Sequence, residues 1–223
     1  MNDDNLNLQI QAYNKILYKI IHCEYSPGQK ISQKMIEDDL HFGLTPIREA
    51  LLRLRREGLI FVVPQSGTFV TKIDFNIAIN ARFIRESLEK NIISEAATLT
   101  SADFQEAHLS IKQQEKFVAS KNYNGFFDED EKFHKYFYIA TNHLQTWNWI
   151  QAVNVQFNRF RWLRVRVTDL PWNLLIEQHK NILRAVESHS YERAIAESVQ
   201  HLQLVFEEES AVIEKFPDFF ENL

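Results

Sequence analysis

Breakers of regular structure are spread unevenly along this chain. Gly28, Gly43, Gly58 and Gly67, with Pro27, Pro46 and Pro64, all precede residue 72, and the rest of the 223 residues hold only Gly125, Pro171 and Pro217. Where few residues can take left-handed backbone or lack an N–H, a stretch with an apolar stripe stays helical. We therefore expect a mainly α protein of two modules. A turn-rich one covers residues 1–72, and an all-helical bundle covers 77–223, joined by "TKIDFN" (71–76). The length suffices for each to bury its own core.

The first module has a specific order of elements. Ile10, Tyr13, Ile16, Leu17, Ile20 and Ile21 recur at helical spacing, which predicts an amphipathic helix over about 7–24. "SPGQ" (26–29) is a turn, and Ser32 is placed to cap a second helix with Ile36 and Leu40 inward. In "LTPIREALLRLRREGLI", Thr45 is expected as the N-cap and Pro46 at the first helical position, where a missing N–H costs nothing. Ile47, Ala50, Leu51 and Leu54 form the buried stripe of this third helix, and Gly58 ends it. "LIFVV" and "TFVTK" flank "PQSG" as a β-hairpin.

Three helices and a hairpin make a winged helix-turn-helix, whose third helix enters the major groove of double-stranded DNA. Arg48 lies in the first turn of that helix, near base edges. Arg53, Arg55 and Arg56 lie further along, where they would neutralise phosphates and supply affinity rather than sequence choice. A solvated helix face also looks like this, so charge alone leaves both readings open.

"PGQKIS", "TPIREALLRLRREGLI" and "VVPQSGTFV" closely resemble the N-terminal domain of the GntR family of bacterial transcription regulators, over about residues 8–72. The resemblance implies operator binding by a homodimer, with Lys34, Thr45, Arg48 and the wing Gly67 at DNA-contacting positions. One departure stands out. In "HFGLTP" (41–46), Leu44 occupies the place where the family usually carries a guanine-reading arginine. Leucine cannot make that bidentate contact, worth about 1–3 kcal/mol of base discrimination. The operator is therefore expected to be unusual, or to be read by Arg48 and the wing.

Charge does not oppose this. The chain carries a net −5, yet residues 1–72 hold 9 Lys/Arg against 8 Asp/Glu, and local charge is what a nucleic acid meets. The single Cys23 excludes an intramolecular disulfide framework and fits a reducing compartment. "MNDDNLNLQI" has no secretory pattern, and no apolar run reaches membrane-spanning length, so a cytoplasmic protein without a membrane partner is expected.

In the second module, helical patterns run over about 77–98, 102–120, 124–141, 144–168, 173–188 and 190–215, with aromatics as core and dimer packing. Asp130 and His134 are four residues apart and share one helix face. His179 and His201 lie on either side of "SHSY" (188–191), a break between antiparallel helices, so ligands from three helices could converge in a bundle core. Three imidazoles and a carboxylate suit a divalent transition metal, Zn²⁺ or Ni²⁺ first, with Mn²⁺ or Fe²⁺ also possible. Spacing alone leaves an ordinary helix contact between Asp130 and His134 open.

"RESLE" (85–89), "DEKFHKYFYIATNH" (130–143) and "QHKNILRAVESHSYERAIAESVQHL" (178–202) resemble the three characteristic blocks of the FCD effector domain of FadR-type GntR regulators. That resemblance implies a metal held by Asp130, His134, His179 and His201. A metal with open positions would anchor a small carboxylate effector, which an arginine can clamp: Arg85, on the block-one arginine of the family, is the first candidate, and Arg159 and Arg161 follow. The expected function is a transcription regulator, a repressor, that is not an enzyme. Two alternatives stay open: a metal-dependent hydrolase or lyase with Glu177 or Glu89 as base, and a regulator whose metal is purely structural.

Overall fold

A computed structural model describes residues 3–100, 104–168 and 170–221. They divide into two compact units: the chain up to Phe75 together with the stretch from Phe216, and Asn76–Lys215.

The first unit opens with α1 (Asp3–Ile21), followed by β1 (Lys30–Ile31), α2 (Gln33–Leu40) and α3 (Leu44–Arg56). The predicted Ser32 cap forms, its side chain accepting the Met35 N–H at 3.1 Å. The start of α3 differs from expectation. Gly43, extended at φ −67° and ψ 162°, is the N-cap, so Thr45 lies inside the helix and caps nothing. Pro46 then falls at the third helical position, where its missing N–H is still one that a helix leaves unpaired. Ala12, Ile16 and Ile20 of α1 and Ile47, Ala50 and Leu54 of α3 are sealed from solvent where the two helices pack. Gly58 takes φ 72°, which lets the Leu59 N–H reach Leu54 O at 2.9 Å and close the helix.

The wing is the expected hairpin, β2 (Ile60–Val63) against β3 (Gly67–Val70), with Phe61 opposite Phe69. It gains a third antiparallel strand, because β1 pairs with the other edge of β3. Gly67 is required here by its backbone, whose φ of 136° is one that L side chains rarely adopt. One feature corrects the sequence boundary of the second module. After a 3-10 turn (Pro217–Phe219), β5 (Phe220–Glu221) pairs in parallel with β4 (Ile73–Asp74), so the chain beyond Phe216 belongs to the first unit.

The second unit is built from α4 (Phe75–Ala96), α5 (Gln105–Ser120), α6 (Tyr123–Ala140), α7 (Leu144–Val153), α8 (Val155–Arg164), α9 (Trp172–Glu187), α10 (Tyr191–Glu207) and α11 (Glu209–Lys215). The predicted start of the second helix at 102 lies outside the described residues. Two predicted single helices are interrupted, 144–168 at Asn154 and 190–215 at Glu208, and the first ends at Arg164. Apolar spacing runs across a one-residue interruption, which is why periodicity does not report it. Every residue of α8 is buried, so its arginines must be satisfied internally. The α9–α10 turn falls at Ser188–Ser190 as expected, with His189 in left-handed backbone. Among the described residues no helix is long and apolar enough to cross a membrane.

Candidate metal centre

Helix α6 sets the phase of the site. Asn122 caps it through the Gly125 N–H at 2.9 Å, and one face then carries Asp130 and His134. Helices α9 and α10 bring His179 and His201 to the same place. One donor atom from each of the four lies within 4.8 Å of all the others, and all four side chains are buried.

The ring nitrogens have distinct tasks. His179 Nδ1 faces Gln114 Oε1 at 2.8 Å, and His201 Nδ1 faces Gln178 Oε1 at 3.0 Å. His134 Nδ1 lies 2.9 Å from Glu89 Oε2. The Gln114 amide is oriented by its nitrogen, which donates to Ser110 Oγ and Glu129 O at 3.4 Å. Each of these oxygens only accepts, so each imidazole carries its proton on Nδ1. The Nε2 atoms are then bare. They stand 3.2 Å apart between His134 and His201 and 3.3 Å apart between His179 and His201. In neutral rings with the proton on Nδ1, no proton is left to share across either separation. Lone pairs gathered this closely repel unless a cation stands between them, and metal bonds of about 2.0–2.1 Å give neighbouring donors this spacing. Acceptors on the far nitrogen are also what fixes a metal-binding tautomer. Burial drives the His179 pKa down to about 3 and His201 well below its usual value, the neighbouring imidazoles adding to the effect in both, so the two rings stay neutral ligands.

Asp130 is divided between two tasks. Arg161 Nη2 binds Oδ2, while Oδ1 turns to His179 Nε2 at 3.5 Å. Around it Arg85, fully buried, donates from Nε to Glu89 at 2.6 Å and from Nη1 to Glu131 at 2.9 Å. Arg161 Nη1 also binds Glu131. Burial pushes both glutamates toward protonation, but the guanidiniums prevail. Glu131 is held down to about 2 by Arg85 and Arg161, and Glu89 is held low by Arg85 and His134. Both are charged.

The sequence-predicted residues thus separate into groups. Asp130, His134, His179, His201, Arg85 and Arg161 come together. Arg159 is buried on α8 and donates to Gln156 at 3.0 Å. Gln114, Gln178 and Glu131 were missed. Glu89 was considered only as a base, although its i+4 relation to Arg85 was visible in "RESLE".

In the first unit Leu44, half exposed, and Thr45 and Arg48, both exposed, line the opening turn of α3. Arg55 and Arg56 are solvent-facing, and Gly67 lies in the wing. Lys34 is exposed and pairs with Asp38 at 2.8 Å. Arg53 is engaged within the unit: its guanidinium lies 3.6 Å over the Tyr13 ring and its Nε binds Glu57 at 2.9 Å.

Comparison with known proteins accounts for both units. Residues 8–70 match the family described as bacterial regulatory proteins, gntR family, and residues 81–204 match the FCD domain. The chain is 26% identical over 211 residues to the HTH-type transcriptional repressor RspR of Escherichia coli K12, covering 94% of this chain and 92% of that one. It is 27% identical over 209 residues, 93% and 87% of the two chains, to an uncharacterized HTH-type transcriptional regulator in an unstable DNA locus of Streptomyces ambofaciens. The solved structure of E. coli McbR/YncC has the same fold, with a TM-score of 0.79 at 19% identity over 94% of this chain and 98% of that one. A winged helix-turn-helix followed by a helical unit with buried histidines, matched along nearly its whole length, makes this chain a DNA-binding transcriptional regulator of the GntR family with an FCD domain.

Proposed function

We propose that this regulator is a homodimeric repressor whose hold on operator DNA is set by a small carboxylate bound at a divalent metal in the second unit. Asp130, His134, His179 and His201 would hold the metal, with Glu89, Gln114 and Gln178 keeping the imidazoles in the ligating tautomer. The ion would supply a Lewis-acid anchor for a carboxylate oxygen. The observation carrying this reading is the set of bare Nε2 atoms at 3.2 and 3.3 Å, each ring fixed from behind.

Charge supports an anionic effector. Three carboxylates, Asp130, Glu89 and Glu131, face two guanidiniums, Arg85 and Arg161, in the buried cluster. A divalent cation added to them tips the balance to positive, which favours an anionic ligand. Arg85 is the clamp of choice, since it touches the cluster from α4 while α6 supplies two of the ligands. An effector that binds one arrangement of the helices better must, by linkage, change operator affinity by the same factor.

The hydrolase alternative is less well supported: the Glu89 carboxylate is tied to Arg85 and His134 and so accepts a proton poorly, and Glu177 is exposed and paired with Lys180 at 2.8 Å. A duplex selected from random sequences by the protein provides the test, titrated with a panel of small carboxylates using metal-loaded and metal-stripped protein. We expect at least one acid to change affinity for the loaded protein and none for the stripped one. No response from the loaded protein would remove the sensing function.

A further inference from the structure

We propose that Lys30, on β1, is the phosphate-binding residue of the wing, and that it carries the backbone contact which the family pattern gives to Lys34. This concerns the first unit and does not depend on the sensor reading of the second.

The hairpin has no cation of its own with which to hold DNA. From Ile60 to Val70 it reads "IFVVPQSGTFV", without a lysine or an arginine. Yet Gly67 falls at a DNA-contacting position of the family, and a segment lying against a polyanion is held chiefly by cations on phosphates. The third strand supplies one. Lys30 stands opposite Phe69, which stands in turn opposite Phe61. Alternation along the strands then separates the two faces of the sheet. Ile31, Ile60 and Val70 turn inward and are buried, while Lys30, Phe61 and Val63 turn outward and are exposed. Phe69 shares the outward face, stacked on Phe61 with ring centres 5.6 Å apart. From this row the lysine stem runs along β3 toward the tip of the wing. Its Cε lies 2.7 Å, and its Nζ 3.5 Å, from the point that a Cβ on residue 67 would occupy. The bare backbone of Gly67 is thus where the Lys30 ammonium rests.

The lysines of this unit differ in what surrounds them. Lys19 is tied to Glu24 at 2.9 Å and to Asp39 at 3.1 Å. Lys34 pairs with Asp38 at 2.8 Å and with Glu37 at 3.5 Å, so two carboxylates offset its charge and repel an approaching phosphate. The Lys30 ammonium has no ion pair or hydrogen bond among the described residues, and no acidic residue stands between Glu24 and Glu37 in the chain. It can take a phosphate without giving up a partner. Such a contact fixes register and orientation but carries no sequence information. Lys30 therefore makes up in affinity, not in base choice, for the arginine that is missing at Leu44.

The test uses the full protein without added carboxylate, the duplex selected from random sequences, and a scrambled duplex of the same length. Affinity is measured between about 50 and 200 mM salt for the wild type, Lys30→Gln, Lys30→Arg and Lys34→Gln. Lys30→Gln keeps the stem across Gly67 and removes the charge. It should lower the slope of log affinity against log salt by about 0.9, so that its deficit against the wild type narrows about threefold over that range. The loss should be equal on the two duplexes, because their phosphates are the same. Lys30→Arg and Lys34→Gln should both keep the wild-type slope, and no variant should change the melting temperature. An unchanged slope in Lys30→Gln, or an equal drop in Lys34→Gln, would overturn the proposal. So would a loss confined to the selected duplex, which would make Lys30 a base reader, or one that comes with a lower melting temperature, which would make it part of the fold. A wild type that answers to no carboxylate would end the sensor reading and leave this result as it stands.

Discussion

The arginines of the two units are a comparison within one chain. On α3, Arg48, Arg53, Arg55 and Arg56 all reach solvent; in the helical unit Arg85, Arg159, Arg161 and Arg164 are all buried. An exposed guanidinium keeps its hydration and can wait for a phosphate. A buried one must be balanced where it stands, as Arg85 is by Glu89 and Glu131, Arg161 by Asp130 and Glu131, and Arg164 by Glu208 at 2.5 and 3.0 Å. Arg53 apart, which is tied to Tyr13 and Glu57, the same side chain is therefore open to a partner molecule on α3 and bound into the fold in the helical unit. Changes outside should alter DNA binding with stability untouched, and changes inside should alter stability or metal binding.

The largest effect is expected at Glu131, which two buried guanidiniums share. Glu131→Ala leaves both short of a partner and should cost the helical unit about 3–5 kcal/mol in denaturant unfolding. A loss below about 1 kcal/mol would mean the charges are not balanced pairwise, and the contrast with α3 would fall. Next is Gln114→Ala, which frees the His179 ring and should weaken metal binding about 10–100-fold in a competition titration with a chelator. On the other side, Arg48→Ala should lower operator affinity by about 1–3 kcal/mol and relax one base-pair position. Arg55→Ala should only flatten the salt dependence, by about one unit of slope. Neither should change unfolding by more than about 0.5 kcal/mol, and a larger loss would show that the outer arginines also hold the fold.

The smallest effect concerns pH in the first unit. The Tyr25 hydroxyl, 2.6 Å from Asp39, holds that carboxyl below its ordinary value of 3.8, with Lys19 assisting against the opposing effect of burial. A depressed carboxyl stabilises fully above its unfolded value and loses that contribution as pH falls through its folded value. The difference in melting temperature between wild type and Asp39→Asn should thus be present at pH 7 and shrink below pH 3.8. An unchanged difference at pH 3 would assign the effect to something other than ionisation.

Local patterns were legible and cross-chain ones were not. The Ser32 cap, the Gly58 stop, the 61–69 hairpin and the 188–190 turn each follow from a few adjacent residues. The four residues that cluster here were within reach through the resemblance to the FCD blocks, whereas spacing alone left Asp130 and His134 open to an ordinary helix contact. Gln114 was not, because nothing on α5 announces which residue will face His179 across 65 positions. The β4–β5 pairing escaped for the same reason: two-residue strands joining residues 73–74 to 220–221 leave no periodic signal. Thr45 was misplaced by a competition between caps two residues apart, which Gly43 wins with its extended backbone.

Metal content tests the central claim most directly. Protein equilibrated with zinc, nickel or manganese and then dialysed should retain about one divalent ion per chain by elemental analysis. The His179→Ala/His201→Ala double variant should retain none above background. A wild type that keeps no ion, or a double variant that keeps as much as the wild type, would contradict the convergence of Asp130, His134, His179 and His201 on a single cation.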